Sequence, residues 1–265
     1  MKFIDLDSGA SATKAAEFDR RYSPDDRLIQ QVREILDQVR LGGDEALLRL
    51  VEQFDQTIFS SDELRIDQAE IDNALEHLDP ALRDALETAK QNVQEFAKKS
   101  QRSDWQSKNR QGAEVGEYFH PFQRIGIYVP AGTAPLISSA IMTVSLATAV
   151  GVPEIAVVSP VGPAKKMDNA LLSALQIAGA TEIFKVGGAQ AIGGLAFGTA
   201  TIPKVDKIFG RGTPMLLKPS VKFSATWRWI CCQAPAKSWC SPMRVLNLLG
   251  WPRIFSRKLN MVQEV

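Results

Sequence analysis

Two short glycine-containing segments carry the side chains of this sequence that could contact a ligand. Each follows a predicted strand and precedes a predicted helix. A glycine there lets a ligand approach the backbone, and the first N–H groups of a helix favour anions. The pattern is typical of nucleotide binding and also of ordinary βα turns, and no GxGxxG fingerprint is present. The residues are Tyr128, Gly132 and Thr133 in the first segment and Gly187, Gly188 and Gln190 in the second.

Histidine and cysteine give little indication of a metal centre. The two histidines are His77, in a predicted amphipathic helix, and His120, just before a predicted strand. We expect the first to be a surface residue and the second a loop or packing residue. The three cysteines, Cys231, Cys232 and Cys240, could bind a metal in principle, but no histidine or acidic residue accompanies them at zinc-site spacing. We therefore predict no metal ligands in this chain.

Residues 1–120 are predicted to be a helical region whose role is packing. Its helices show apolar residues at helical spacing on one face, and their starts carry capping residues, prolines or acids. A double glycine ends the first helix. The predicted starts are Ser23-Pro24-Asp25-Asp26, Asp44, the neighbourhood of Asp67, and Asp79-Pro80, and the first helix ends at Gly42-Gly43.

Residues 121–212 alternate between short apolar strands and helices. This rhythm predicts a parallel sheet with helices on both faces, and hence an α/β fold in which ligands bind at the carboxyl ends of the strands. The predicted strands are 125–129, 154–159, 182–186 and 207–209, and the predicted helices are 134–150, 164–178 and 190–197.

The composition changes abruptly near residue 213. Residues 1–212 carry a net charge of −6, whereas residues 213–265 carry +7 and hold all three cysteines and four of the five tryptophans. The basic residues of this tail are scattered, and five prolines interrupt any long amphipathic helix. A basic, aromatic tail that binds membranes or nucleic acid is therefore the weaker interpretation.

Several classes of protein are excluded by simple features of the sequence. No apolar run of about 18 residues is uninterrupted, so no membrane span is expected. The first residues lack the apolar region of a signal peptide, and no cysteine lies before Cys231 to build a disulfide framework. We expect a cytoplasmic protein that binds neither membranes nor nucleic acid.

The segments around the two turns form long and specific motifs. They are Arg124–Gly132 (RIGIYVPAG), Val186–Ile192 (VGGAQAI), Ala196–Thr199 (AFGT) and Val205–Gly210 (VDKIFG), and Gly42–Ala46 (GGDEA) and Phe54-Asp55 agree with them. Together these residues resemble histidinol dehydrogenase, and the resemblance runs almost continuously over residues 1–212.

The resemblance implies a cytosolic or plastid homodimer that contains zinc and uses NAD. Such an enzyme oxidises L-histidinol through the aldehyde to L-histidine, with two hydride transfers. It implies a core of incomplete Rossmann-like domains in which the residues matching Tyr128 and Gln190 contact NAD. A third contact of the family is an asparagine in Phe-Gly-Pro-Gly-Asn, where this chain has Phe209-Gly-Arg-Gly-Thr213.

The remaining family residues would follow the position at which this chain departs. They are four zinc ligands (a glutamine, two histidines and an aspartate) and a Glu-His acid/base pair. Read one base earlier with suitable codons, Ile254–Val265 can encode DLLSQAEHGPRS, which is the family segment with two of the zinc ligands. Similar readings exist along the rest of the tail in the same frame. We infer a single-base deletion in the codon for position 213.

These observations predict three regions and a chain without catalytic residues. A helical region spans residues 1–120, a Rossmann-like NAD-contacting domain spans 121–212, and an out-of-frame, non-native or irregular tail spans 213–265. The expected origin is a histidinol dehydrogenase, and the expected state is inactive and without a zinc site. The alternatives are a remnant that still binds NAD or a partner, and a chain that folds only as a heterodimer with an intact family member.

Overall fold

Four helices form the described part of the N-terminal region up to residue 99. The computed structural model describes residues 26–131 and 135–210, and the backbone of 230–231. The helices are α1 (Asp26–Asp55), α2 (Ser61–Leu64), α3 (Gln68–Glu76) and α4 (Pro80–Lys99). The predicted break at the double glycine is a kink within α1, because Gly43 adopts φ 54° there. The predicted caps are confirmed: Asp67 accepts from the Glu70 N–H, and Asp79 accepts from the Leu82 N–H.

Residues 100–120 differ from the predicted all-helical region. Two antiparallel strands, β1 (Trp105–Lys108) and β2 (Glu114–Glu117), form a hairpin there. The Asn109 side chain accepts from two N–H groups of the turn, and Gly112 takes φ 81°. All four residues of β1 are exposed, so the alternating burial that would have marked a strand in the sequence is missing.

The second half of the described chain is a parallel α/β sheet, as predicted. The elements in chain order are β3 (Arg124–Tyr128), α5 (Ile137–Ala149), β4 (Glu154–Val158), α6 (Asn169–Ala178), β5 (Glu182–Phe184), α7 (Gly188–Phe197), β6 (Lys207–Gly210) and β7 (Ile230–Cys231). The strands lie in the order β5-β4-β3-β6-β7, and all neighbouring strands run parallel. The two-residue strand β7 lies in the region predicted to be irregular, of which nothing else is described.

Helices cover both faces of this sheet and create two cores. On one face the sheet packs against α3 to α6, and on the other against α1 and α7. Two glycines let α7 approach closely: a Cβ at Gly193 would press on Val39 of α1, and one at Gly194 on Ile202. The N-terminal helices therefore belong to the same packed body as the sheet.

The helix predicted over residues 164–178 is shorter in the structure. It begins at Asn169, because the Asp168 side chain caps it by accepting from the Leu171 N–H at 3.0 Å. Residues 159–168 instead form a loop above the sheet, in which Gly162 and Lys165 take left-handed backbone angles. This loop is part of the candidate site.

The amino edge of the sheet is closed by charge pairs. Arg124 at the start of β3 pairs through its two terminal nitrogens with Glu154 and Glu182, which start β4 and β5. Arg65 also reaches Glu182, at 3.2 Å. The outer edge of β5 is covered as well, since the Ile66 N–H donates to the Ile183 carbonyl at 2.9 Å.

Candidate ligand site at the carboxyl edge of the sheet

The carboxyl edge of the sheet contains a topological switch point. From β3 the chain passes through α5 to β4 and β5 on one side, and then returns to place β6 on the other side of β3. Tyr128 ends β3 and lies opposite Gly210, the last residue of β6. Parallel α/β sheets bind ligands in the crevice at such a point. The geometry therefore places Tyr128 where a ligand would be expected.

Tyr128 is connected to the second predicted segment by a hydrogen bond. Its side chain is 5% exposed, and its hydroxyl accepts from the Gly188 N–H at 3.3 Å. Burial raises the pKa of Tyr128, the Gly188 hydrogen bond lowers it, and the negative charge of Asp55 raises it further. The phenol is therefore held neutral at physiological pH and keeps its proton for donation.

Gln190 lies in the first turn of α7, next to this hydrogen bond. It is 1% exposed, and its side chain folds back over Gly188, where a Cβ would collide with it. Gly188 has φ 66°, a conformation that also favours glycine. Thus the predicted residues Tyr128, Gly187, Gly188 and Gln190 are brought together.

The Gln190 amide has an unused donor. Its Nε2 is buried and has no hydrogen-bond partner within the described part of the chain. The Gln190 side chain is close enough to Asp55 to lower the pKa of that carboxyl. However, Nε2 makes no hydrogen bond to the Asp55 carboxylate. A buried donor without a partner costs about 1–3 kcal/mol, which a ligand acceptor would recover.

Asp55 also belongs to the candidate site, although it is not among the ligand contacts predicted from the sequence. It is the last residue of α1, and it is half-buried. Burial raises the pKa of its carboxyl, while the Gly187 backbone and the Gln190 side chain nearby lower it. No local sequence signal connects it to Tyr128, although the motif Phe54-Asp55 contributed to the family resemblance.

Ser159 adds a second buried polar atom without a partner. It follows β4 directly, is 0% exposed, and its Oγ has no hydrogen-bond partner within the described residues. The next residue, Pro160, packs so tightly against Gly187 that a Cβ there would come within 2.6 Å of the proline ring. The ends of β4 and β5 therefore meet at the same place as Tyr128 and Gln190.

Other predicted residues lie elsewhere or beyond the described residues. His77 follows α3 and is exposed, and His120 is exposed in the loop before β3, in agreement with the surface and loop roles expected for them. Gly132 and Thr133 lie outside the described residues, as do Ser23 to Asp25 and the tail apart from the backbone of 230–231. The predictions for the cysteines and for an out-of-frame tail therefore fall where no side chain is described.

Within the described ranges, no group of three or more His, Cys, Asp or Glu side chains is placed to hold a metal ion. These residues therefore do not fit a zinc site.

Among the helices of the described ranges, none is both long and apolar enough to cross a membrane.

The fold is that of an α/β protein whose candidate ligand site lies at the switch point of a parallel sheet. The family model for histidinol dehydrogenase matches residues 18–216, which is most of the chain. The chain therefore belongs to the histidinol dehydrogenase family.

Individual relatives agree with this assignment over the same part of the chain. Histidinol dehydrogenase from Oceanobacillus iheyensis is 42% identical over 183 residues, which is 69% of this chain and 42% of that protein. The enzyme from Symbiobacterium thermophilum is also 42% identical, over 182 residues. The chain spans less than half the length of these curated relatives, 42% in both cases.

A solved structure shows the same fold. The crystal structure of histidinol dehydrogenase from Elizabethkingia anophelis superposes with a TM-score of 0.75 at 27% sequence identity. The match covers 82% of this chain and 50% of that one. The α/β architecture predicted from the sequence is thereby confirmed.

Proposed function

We propose that residues 26–210 are the NAD-contacting part of a histidinol dehydrogenase, with Tyr128 and Gln190 as NAD contacts. The observation that carries the proposal is the buried, unpartnered Nε2 of Gln190 beside the Tyr128 hydroxyl at the switch point. In the family NAD accepts the hydride, whereas the residues described here would bind and orient the dinucleotide.

The chemistry of the two side chains supports such a ligand. The Tyr128 hydroxyl accepts from Gly188 and so has its own proton left to donate. The Gln190 Nε2 is a second donor. A dinucleotide offers acceptors to both in its ribose hydroxyls and phosphate oxygens. The buried setting strengthens such hydrogen bonds compared with the same contacts in water.

We further propose that the chain with the printed residues 213–265 does not oxidise L-histidinol. The support comes from the sequence: no histidine follows His120, while the family's zinc ligands and acid/base pair include histidines. Arg211 and Thr213 also replace the proline and asparagine of the family motif. Loss of a general base or of a catalytic metal costs roughly 10²-fold or more in rate each.

We propose the remaining properties of the family only for an intact member. L-histidinol as substrate, zinc as cofactor and the homodimer are expected for an intact family member, as is the cytoplasmic location. This chain would thus be a remnant that binds NAD without catalysis, and the alternative is a remnant that instead binds an intact family chain as its partner.

The experiment compares two proteins made from the same gene. One is the 265-residue chain, and the other is the product after one base is restored at codon 213. Equilibrium dialysis with NAD should show saturable binding to the first, with Kd tighter than about 1 mM. Histidinol-dependent NADH formation should appear only with the second. Activity in the first protein, or no NAD binding by it, would contradict the respective part of the proposal.

A further inference from the structure

Ser159 has a buried hydroxyl that the described chain does not use. The residue is 0% exposed, and its Oγ has no hydrogen-bond partner within the described residues. A buried hydroxyl without a partner costs free energy that a ligand group would recover. Ser145 shares both properties, but it lies within α5 rather than at the end of a strand. The two serines therefore differ in where they lie and not in how well they are satisfied.

The backbone at Ser159 is fixed at the carboxyl edge of the sheet. Its N–H donates to the Phe184 carbonyl at the end of β5, at 3.1 Å. The next residue, Pro160, packs on Gly187, where a Cβ would come within 2.6 Å of the proline ring. Ser159 is thus held next to the residue that precedes α7, the helix that carries the proposed contact Gln190.

The loop that follows Ser159 is also tied to the segment after α1. The Thr57 hydroxyl lies 2.9 Å from the Gly162 carbonyl, and Lys165 pairs with Glu63 at 3.2 Å. The side chain of Lys165 is 41% exposed in this pair. It is therefore not a buried cation that would balance a phosphate group beside Ser159.

Ser159 lies on the other face of the sheet edge from Tyr128. Side chains alternate between the faces of a strand, and Val157, two residues earlier, packs in the core against α3 to α6. Tyr128 packs in the core against α1 and α7. A dinucleotide bound across the edge is long enough to contact both faces.

The position of Ser159 in the topology indicates which part of a dinucleotide it meets. In dinucleotide-binding folds, the residue that contacts the adenosine ribose follows the second strand of the βαβ unit at the switch point. Here that unit is β3–α5–β4, and Ser159 directly follows β4.

We propose that Ser159 is a further ligand-binding residue of this site, whose hydroxyl forms a hydrogen bond with a hydroxyl of the adenosine ribose. A serine hydroxyl and a ribose hydroxyl can each donate and accept, so the bond satisfies Oγ without burying a charge. This inference rests on the proposed NAD-binding function and names the part of NAD that the α5 side of the edge contacts.

The test uses Ser159→Ala in the full 265-residue chain, with Ser145→Ala as the matched control. Ser145 lies about 12 Å along α5 from the start of that helix. We expect Ser159→Ala to weaken NAD binding about three- to tenfold in equilibrium dialysis, and Ser145→Ala to bind NAD like the wild type. Both variants should keep or raise the thermal midpoint, because neither loses a hydrogen bond within the protein.

The same contact can be removed from the side of the ligand. NAD analogues that lack the 2′ or the 3′ hydroxyl of the adenosine ribose would be compared with NAD. We expect one of them to bind the wild type about three- to tenfold more weakly than NAD does, and to bind Ser159→Ala as tightly as NAD does. An equal loss of affinity in both proteins, or no loss in either, would overturn the ribose contact.

The outcomes separate this inference from the proposed function. Unchanged NAD affinity in Ser159→Ala, with NAD still bound by the wild type, would overturn the role of Ser159 and leave the proposed function intact. A wild type that binds no NAD would overturn both. A clear fall in the thermal midpoint of Ser159→Ala would also contradict the inference, because it would show that the hydroxyl bonds within the protein.

Discussion

The two edges of the parallel sheet are built in opposite ways. At the amino edge, Arg124 pairs with Glu154 and Glu182, and Arg65 joins them, so charges of opposite sign are matched within the chain. At the carboxyl edge, the glycine turn of α7 meets buried polar atoms of Ser159 and Gln190 that lack partners among the described residues. The difference indicates that folding alone pairs the charged groups of the amino edge, while buried polar atoms of the carboxyl edge are available to a ligand.

The same difference separates residues that stabilise from residues that function. The guanidinium of Arg124 is bonded at both terminal nitrogens, and only its Nε lacks a partner in the described structure. The carboxyl edge instead contains a left-handed Gln56, a left-handed Gly188 and a carboxylate whose pKa is raised by burial. Strain and perturbed groups tend to collect at functional sites.

The largest effect on stability is expected at the amino edge. Arg124→Met leaves Glu154 unpaired and leaves Glu182 with Arg65 alone, and removing one partner of a largely buried ion pair costs about 3 kcal/mol. Urea denaturation should show this loss. The affinity for NAD of the protein that remains folded should be unchanged. A variant that is fully stable but binds NAD poorly would reverse the assigned roles of the two edges.

The next effect concerns the turn of α7. Gly188→Ala places a Cβ at φ 66° and against the Gln190 side chain, so we expect a loss of about 2 kcal/mol in unfolding free energy and at least tenfold in NAD affinity. Gly151→Ala is the matched control. Gly151 has φ 80°, and a Cβ there meets nothing within 4 Å. It should lose stability but bind NAD normally, and an equal loss of affinity would argue against a specific site.

A smaller effect is expected when the tyrosine hydroxyl is removed. Tyr128→Phe takes away the acceptor of the Gly188 N–H, which lies 3.3 Å from it. The unfolding free energy should fall by about 1 kcal/mol, because the N–H at the start of α7 loses its partner. Affinity for NAD should fall as well, measured by equilibrium dialysis. Normal affinity would remove Tyr128 from the site.

The smallest effect depends on pH. The pKa of Asp55 is raised in the folded chain from its usual 3.8, so the stability that its protonated form contributes is fully present below about pH 3.8. It is lost as the pH rises through the raised pKa. The unfolding free energy of the wild type, relative to Asp55→Asn, should therefore decline between these values in a series of urea denaturations. A relative increase over this interval would show that the carboxylate is stabilising after all.

Much of the fold could be predicted because its signals are local. The strands from β3 to β6 are short apolar runs that end at glycine or proline, and Asp67 and Asp79 cap their helices in the ordinary way. The hairpin β1–β2 was missed because β1 is exposed on both sides and shows no alternation. The helix predicted over residues 164–178 begins later because the Asp168 side chain caps it.

Residues of the candidate site could be predicted only where a side chain able to bind a ligand lies next to a glycine turn. Tyr128 and Gln190 lie next to glycine turns after strands, and the family resemblance identified them. Asp55 reaches the same place through the packing of α1 on α7, and Ser159 looks like any small residue at the end of a strand. Such long-range neighbours have no signal in a single sequence, since they depend on how distant elements pack.

The most direct test is to map NAD binding onto the two edges. Amide chemical shifts of the isotope-labelled 265-residue chain would be followed during an NAD titration. We expect the shifts to concentrate at Tyr128, at Ser159 and at Gly187 to Gln190, while the amides of Arg124, Glu154 and Glu182 stay unchanged. Shifts concentrated at the amino edge, or none up to millimolar NAD, would contradict the assignment of the carboxyl edge as the NAD site.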